Sequence, residues 1–297
     1  MTGVPAVGTR VMVRYRLPAG STPPLTDVIG LVVEVGAALR IRTKAGDVVQ
    51  VAGDDVVAIK TLTAAPVRTA DIRNAEHAAG LAWPGLEQRW LGGWLLRAAD
   101  GHTHRANSAV PLGFDADATA IPAITEWYGE RGLTPWLSVP DRLFRATPVS
   151  PHLETEVMTN DLTDTAVDER VRLDRTPDAE WMRLYRRDVP VDILTAVIDG
   201  EVAFATVPGA AVGRAALTSG PDGRRWVGLS AVRVDEQARG QGLARAMCST
   251  LLRWGAQQGA TRGYVQVLVD NEVALGLYRS MGFATQHRSR YVDARSL

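Results

Sequence analysis

The chain has 297 residues, a formal net charge of zero and 46% hydrophobic residues. This length exceeds one small domain, so two or three folded units with real cores are expected. Because the net charge is zero, no bulk attraction to nucleic acid or anionic lipid is predicted, and nucleic acid is not favoured as a partner. No segment approaches the roughly 18 apolar residues of a membrane span, so no membrane partner is predicted either.

Cys248 is the single cysteine of the chain. A single cysteine excludes an intrachain disulfide and a multi-cysteine metal site, and it favours a reducing compartment. We therefore expect a cytoplasmic protein without a bound metal. Cys248 itself is interpreted as a small apolar residue of a helix rather than a reactive thiol.

Short β-type segments separated by turn formers extend from Gly8 to Ile59. In the first, Val11, Val13 and Tyr15 alternate on one face, and Arg10, Arg14 and Arg16 occupy the other. The later segments are Ile29–Val35, Leu39–Arg42, Val48–Val51 and Val56–Ile59. This spacing predicts a small β-barrel over residues 1–63 that resembles an SH3-like domain. The arginines could contact a nucleic acid or an acidic peptide, but a solvated face is favoured.

The segment 61–66 is rich in Thr, Ala and Pro and is predicted to be a linker. Mixed α+β structure is predicted for residues 67–157. Its predicted elements are a helix over Ala70–Leu81, a strand over Trp90–Leu96 that turns at Asp100 and Gly101 into a second strand near His104–Ser108, a helix over Ile121–Arg131, and a strand over Trp136–Val139. On a strand, His102 and His104 would share a face as metal ligands do, but exposed turn histidines are favoured because no third ligand is evident.

Residues 158–297 have a more informative order of elements. Thr176 and Pro177 predict the start of a helix that places Trp181, Leu184 and Tyr185 on one face. The remaining predicted elements are strands over Glu201–Val207, Ala211–Thr218 and Trp226–Val234, a helix over Gly242–Gly255, a strand over Tyr264–Val269, a helix over Asn271–Met281, and a last strand through Tyr291 and Val292. This order predicts an α+β fold with a parallel strand pair inside a largely antiparallel sheet.

A glycine-containing turn follows the third of these strands and opens an amphipathic helix. Its residues are Gln237, Ala238, Arg239, Gly240, Gln241, Gly242, Leu243 and Ala244. Glycines allow the backbone to approach an anion closely, and the free N–H groups of a first helical turn point toward it. The turn therefore predicts a site for a diphosphate. It does not match a dinucleotide-binding G-x-G-x-x-G motif, because Arg245 stands at the third glycine position.

This turn resembles the Q/R-x-x-G-x-G/A signature of the GNAT superfamily of N-acetyltransferases, with Gln237, Gly240 and Gly242 at the signature positions. The helix from Asn271 is similar to the next motif of that superfamily, N-x-x-A-x-x-x-Y-x-x-x-G-F. The matching residues there are Asn271, Ala274, Tyr278, Gly282 and Phe283. The resemblance covers Leu162 to the C-terminus. It implies a GNAT fold, acetyl-CoA as co-substrate and acetyl transfer to an amine.

The resemblance also implies roles for individual residues. Parallel strands that splay apart would hold the pantetheine arm, and backbone groups of Val232 and Val234 would bind it and polarise the acetyl carbonyl. Residues 237–244 and Asn271 would complete the cofactor site. Tyr278 would bind there too and protonate the departing thiolate, whereas packing in the core is its structural alternative. Many relatives carry a glutamate on the strand before the signature, but Trp226–Val234 contains no carboxylate. Asp270, Asp192 and Glu201 are weak substitutes, and the base is left unassigned.

The predicted architecture is an SH3-like barrel, a GNAT-like half lobe over residues 67–157 and a catalytic GNAT domain over residues 158–297. The half lobe resembles that of tandem GNAT proteins through Gly93–Arg97 and Arg105–Ser108. The acceptor amine stays open between a protein lysine, as in histone-type enzymes, and a small molecule such as an aminoglycoside, polyamine or amino acid. A non-catalytic module that senses acetyl-CoA is a further alternative. The oligomeric state and the partner of the barrel are not predicted.

Overall fold

The protein was examined as a computed structural model that describes residues 5–62, 67–145, 149–162 and 168–297. The chain divides into two compact units, Met1–Pro66 and Val67–Leu297. The predicted linker spans this division, and residues 63–66 of it lie outside the described residues. None of the described helices is long and apolar enough to cross a membrane.

The first unit is a five-stranded antiparallel sheet in the order β4-β3-β2-β1-β5. Its strands are β1 (Arg10–Arg16), β2 (Leu25–Val35), β3 (Ala38–Thr43), β4 (Val48–Ala52) and β5 (Val56–Thr61). Alternation along β1 buries Val11 and Val13 in the core and leaves Arg14 outside, where it pairs with Asp27 at 2.8 Å. The predicted strands are thereby confirmed; Arg14 and Arg16 are exposed and Arg10 is half-buried, and the solvated arginine face stays a prediction.

The second unit begins with a helix and a small sheet. These elements are α1 (Thr69–Ala82), β6 (Glu87–Leu91), β7 (Trp94–Ala98), β8 (Val110–Pro111), α2 (Ile121–Gly129) and β9 (Trp136–Pro140). The predicted strand over Trp90–Leu96 is wrong, because Gly92 and Gly93 both adopt positive φ and fold this stretch into the β6–β7 hairpin. The second strand near His104–Ser108 is also wrong, since those residues form turns.

The remaining elements build an eight-stranded mixed sheet in the order β11-β12-β13-β14-β15-β10-β16-β9. Its further strands are β10 (Leu153–Asp161), β11 (Arg172–Asp174), β12 (Glu201–Val207), β13 (Ala211–Ser219), β14 (Arg225–Val234), β15 (Arg262–Leu268) and β16 (Ala284–Asp293). Strands β14 and β15 pair in parallel, as the sequence predicts, and the other pairs of this sheet are antiparallel.

The predicted half lobe and catalytic domain share this sheet. Strand β9, from the half lobe, pairs with β16, and the predicted boundary between residues 157 and 158 falls inside β10. A parallel bridge between Ala109 and Leu137 joins β9 to the region after β7. The two parts therefore fold as one unit by their contacts.

Helix α1 packs on the large sheet against Trp226 and Tyr264. The later helices of this unit are α3 (Ala179–Tyr185), α4 (Val191–Thr195), α5 (Leu243–Gln257) and α6 (Glu272–Ser280). The predicted cap of α3 at Thr176 is wrong, because the side chain of Asp178 accepts from the N–H of Trp181 and starts the helix two residues later. The amphipathic helix predicted after the glycine turn has an apolar stripe of Leu243, Met247, Leu251 and Trp254. The first three are buried and Trp254 is partly buried against the same core, which confirms the stripe.

Candidate functional site

The parallel strands β14 and β15 separate toward their carboxyl ends. Their pairing runs from Trp226 with Arg262 to Leu229 with Val265 and then stops, although both strands continue. Ala231 adopts a φ of 54°, and the register of β14 against β13 shifts at the same level. A β-bulge of this kind bends a strand away from its neighbour. The main chain of β14 beyond Leu229 therefore has no pairing to β15.

A cavity of about 340 Å³ opens where the two strands part. Strand β14 lines it with Leu229 to Arg233, β15 with Val265 to Leu268, and α6 with Asn271, Ala274 and Tyr278. Sequence analysis predicted this opening from the resemblance alone, and the separated strands supply its physical cause. The cavity can accept an extended chain between β14 and β15.

The predicted diphosphate turn follows β14 directly. Gly240 and Gly242 have φ values of 77° and 73°, in the left-handed region that favours glycine, and a Cβ at either position would meet no atom within 4 Å. Gly242 is the N-cap of α5 and makes no side-chain capping bond. The first-turn N–H groups of α5 are thus not capped by a side chain and can bind an anion.

Helix α6 places the second motif at the cavity. The Asn271 side chain accepts from the N–H of Ala274 at 3.1 Å and so caps the start of α6. Tyr278 is buried and its ring packs edge-on against Phe283, yet it also lines the cavity. Both the core role and the cavity position of Tyr278 are therefore real. Helix α5 is tied to α6 by Arg245, which donates to the hydroxyl of Ser280 at 2.6 Å.

Tyr278 lies beside the single cysteine. Burial raises the pKa of Tyr278 well above its usual value, and the neighbouring Cys248 thiol raises it further. Burial likewise raises the pKa of Cys248 to about 12, which confirms that this cysteine is an inert residue of α5. Tyr278 therefore keeps its phenolic proton at physiological pH and can act as a proton donor.

The predicted site residues fall into two groups. Val232, Asn271 and Tyr278 line the cavity, whereas Val234 and residues 237–244 lie outside it, at the end of β14 and the start of α5. Asp192, Glu201 and Asp270 are exposed and do not line it. No Asp or Glu is among the described residues that line the cavity, so none of them can supply a carboxylate as the base.

The opposite side of the cavity is formed by Trp83 and residues 103–105, here called the lobe wall. Arg105 donates to the side chain and the backbone oxygen of Gln266 on β15, both at 3.0 Å. His104 is half-buried on this wall. Sequence reasoning missed these cavity residues because they are distant in the chain from both motifs, and no spacing pattern links them.

The buried guanidinium of Arg214 on β13 fastens the lobe wall to the sheet. Arg214 donates to the backbone oxygens of Ala82, Leu194 and Ala196 at 2.7 to 3.1 Å and stacks over the Trp83 ring at 4.3 Å. Burial lowers its pKa to about 10, so it still carries its charge at neutral pH. It also donates to Ser230, which lines the cavity.

His102 and His104, predicted to be exposed turn histidines, are both half-buried. Within the described ranges, no group of three or more His, Cys, Asp or Glu residues is placed to hold a metal ion. His102 donates through Nδ1 to the backbone oxygen of Asp188 at 2.8 Å, while His104 packs among aromatic rings. The side chains of His102 and His104 thus contact different groups.

Comparison with known proteins identifies both units. The family described as "Probable histone acetyltransferase Rv0428c C-terminal" matches residues 69–292, and the family described as "Rv0428c N-terminal Sm-like domain" matches residues 5–60. The SH3-like barrel expected from the sequence is thus approximately correct.

Individual relatives agree with the family matches. The chain is 48% identical to "Probable histone acetyltransferase Rv0428c" of Mycobacterium tuberculosis over 299 residues, covering 100% of this chain and 98% of the relative. It is 26% identical to "Uncharacterized N-acetyltransferase YobR" of Bacillus subtilis, covering 74% of this chain and 98% of the relative.

A solved structure supports the fold independently. The GCN5-related N-acetyltransferase from Kribbella flavida superposes with a TM-score of 0.56 at 13% identity, covering 76% of this chain and 96% of that one. This likeness shows the α+β GNAT fold with its mixed sheet and flanking helices, and proteins of that fold family use acetyl-CoA. The chain therefore belongs to the family of the Rv0428c-type acetyltransferases and is a GNAT-type N-acetyltransferase.

Proposed function

We propose that this chain transfers the acetyl group of acetyl-CoA directly to a primary amine, with the reaction centred between β14, β15 and α6. The observation that carries this proposal is the cavity between the separated strands. The buried phenol of Tyr278 is one of the groups that line it. A cavity beside a protonated acid provides what an acyl transfer from a thioester needs.

We assign the cofactor site to residues that fit an extended molecule with a diphosphate at one end. The backbone amides of residues 239–244 would bind the diphosphate, with Gln237 and Ala238 preceding them in the turn. Open space at Gly240 and Gly242 and the uncapped start of α5 support this assignment. Val232 and Val234 would hold the pantetheine arm through their backbone. Asn271 lines the cavity at the start of α6 and would complete the site there.

Bound acetyl-CoA supplies the activated acetyl group. A backbone N–H of β14 near Val232 would stabilise the negative charge that builds on the acetyl oxygen. Tyr278 would donate its proton to the departing sulfur, a role supported by its place at the cavity and by a phenol that is protonated at neutral pH. The two groups come from different elements, so the separation of β14 from β15 sets their relative position.

The acceptor class rests on two different observations. A protein lysine is supported by the printed name of the Mycobacterium tuberculosis relative, which covers the whole chain. A small amine that carries an anionic group, such as an amino acid, is favoured by the cavity, whose described lining contains Arg105, Arg187 and Arg233 but no carboxylate. We place the protein lysine first and the small amine second. The cytoplasmic location stays a prediction.

The first experiment measures binding and turnover separately. A thermal shift with acetyl-CoA at about one hundred times its dissociation constant should show roughly 2.7 kcal/mol of stabilisation. Thiol release with basic peptides and with a panel of small amines then identifies the acceptor. Binding without release for any acceptor would instead favour a sensing module that does not catalyse transfer.

A second experiment tests Tyr278. Tyr278→Phe should lower kcat by about 100-fold or more while the acetyl-CoA thermal shift persists, because the ring is kept and only the proton donor is lost. Tyr264→Phe is the matched control, since Tyr264 is buried on the neighbouring β15 but does not line the cavity. An unchanged kcat in Tyr278→Phe would remove the acid role.

A further inference from the structure

A second cavity of about 220 Å³ lies next to the first. Its lining residues come from the turns around residue 101 and from the loop between α2 and β9. These residues are Gly101, Thr103, His104, Asn107, Gly132, Leu133, Thr134 and Trp136. Thr103 and His104 line both cavities, so the His104 side chain stands at the boundary between them.

The His104 imidazole is held by aromatic packing. Its ring lies 5.3 Å from the rings of Trp136 and Tyr291 and 5.1 Å from that of His152, measured between centroids. Within the part of the chain that the structure describes, no hydrogen bond joins a ring nitrogen of His104 to another protein group. A positioned imidazole with free nitrogens at a cavity is equipped to exchange a proton with a bound molecule.

From this placement we propose that His104 is the base that deprotonates the acceptor amine, and that the acceptor reaches it through the second cavity. The proposal rests on the acetyl transfer proposed above. It supplies the group that the sequence left unassigned, because the first cavity has no carboxylate among its described lining residues. It also gives the lobe wall a chemical role.

The charges around His104 suit this role. Burial lowers the pKa of His104, and the nearby His152 lowers it further, so the imidazole is neutral at pH 7 and can accept a proton. Arg105, Arg187 and Arg233 line the first cavity together with the phenols of Tyr185, Tyr278 and Tyr291. The positive charges lower the pKa of an acceptor ammonium, because they disfavour its charged form.

The proton balance of the transfer is complete. The neutral imidazole of His104 takes one proton from the acceptor ammonium and later releases it to solvent. The amine nitrogen then forms the new bond to the acetyl carbon, and the carbon–sulfur bond breaks. Tyr278 gives its proton to the sulfur and regains one from the attacking nitrogen, which keeps the single proton of a secondary amide.

The test compares His104→Gln with His102→Gln, a neighbouring turn histidine outside both cavities. With the acceptor found by thiol release, kcat/KM of the natural protein should fall only at a pH below the ordinary histidine pKa of about 6.5, because the pKa of His104 is lowered and its imidazole becomes protonated there. His104→Gln should lose about 100-fold at pH 7 and lose this acid limb. His102→Gln should keep both. His152→Gln should move the limb to higher pH, since one cause of the lowered pKa is removed.

Chemical rescue provides a second readout. His104→Ala should regain part of its rate in free imidazole, because the two cavities meet at the vacated position. A rate within twofold of the natural protein in His104→Gln, or an unchanged acid limb, would overturn the role of His104. That result differs from failure of the proposed function, in which the natural protein itself neither binds acetyl-CoA nor releases thiol.

Discussion

The two sides of the cavity are built in different ways. On one side, β14, the glycine turn, α5, β15 and α6 follow one another along residues 225–280. On the other side, the lobe wall comes from Trp83 and residues 103–105, more than 100 positions earlier in the chain. The first side is built from consecutive residues, and its motifs can be recognised in the sequence. The second exists because the early elements pack on the large sheet.

This difference separates two kinds of function. The consecutive side has the features that suit a fixed cosubstrate: an uncapped helix start, glycines with open space and a buried phenol. The lobe wall contains arginine, histidine and aromatic side chains. Enzymes with different acceptors can carry different residues at these positions without disturbing the glycine turn. Changes on the consecutive side should therefore affect acetyl-CoA binding, and changes at the wall should affect the acceptor.

The largest effect is expected at Gly242. Gly242→Val places a branched side chain at a φ of 73°, in the space where a diphosphate would lie. Two lost charge-assisted hydrogen bonds correspond to roughly 3 kcal/mol or more, so acetyl-CoA affinity should fall by about 100-fold or more. Calorimetric titration with acetyl-CoA measures this loss.

Gly223→Val is the matched control. Gly223 has a φ of 76° and equally open surroundings, but it lies in the turn before β14, at the other end of that strand. Both variants should lose about 1–2 kcal/mol of stability from the left-handed backbone. If Gly223→Val weakened acetyl-CoA binding as much as Gly242→Val, the assignment of the turn would be wrong.

A smaller but still large effect is expected at Arg214. Arg214→Met removes the donor to the buried backbone oxygens of Ala82 and Leu194 and to the partly buried oxygen of Ala196. Each buried acceptor without a partner costs about 1–3 kcal/mol, so the free energy of unfolding should fall by roughly 2 kcal/mol or more. Urea unfolding measures it. Because the lobe wall loosens, the KM for the acceptor should rise more than the KM for acetyl-CoA.

Arg172→Met serves as the comparison for Arg214→Met. Arg172 is exposed and pairs with Asp174 at the surface, so its loss should leave the unfolding midpoint within error. Equal destabilisation by the two variants would contradict a special role of the buried guanidinium. Equal changes in both KM values would contradict the division between the two sides of the cavity.

The smallest effect concerns the alkaline stability of the consecutive side. The folded Cys248 thiol has a pKa raised to about 12 by burial, whereas an unfolded thiol titrates near about 8.5. The buried thiol contributes to the free energy of unfolding, and this contribution is complete below the pKa of the unfolded thiol. It is lost as pH rises toward the pKa of the folded thiol, by up to about 1.4 kcal/mol per pH unit. Urea midpoints between pH 8 and 10.5 should fall less steeply in Cys248→Ala. Parallel slopes would mean that Cys248 is not protected in the folded state.

Some local expectations failed where backbone geometry mattered. The sequence predicted one strand over Trp90–Leu96, but adjacent glycines at positive φ produced a hairpin. Thr176 resembles an N-cap, yet Asp178 forms the capping bond. In both cases the residue types allowed two structures, and packing against the sheet selected one.

Sequence by itself determined the elements of residues 225–280 and the candidate cofactor site, because periodicity, capping residues and glycine turns act over a few neighbouring positions. Tertiary structure alone decided how far β14 parts from β15, that the half lobe shares the eight-stranded sheet, and which early residues face Tyr278. These features depend on contacts between residues far apart in the chain. No short pattern encodes them, since the free energy that fixes them comes from burial across the whole unit.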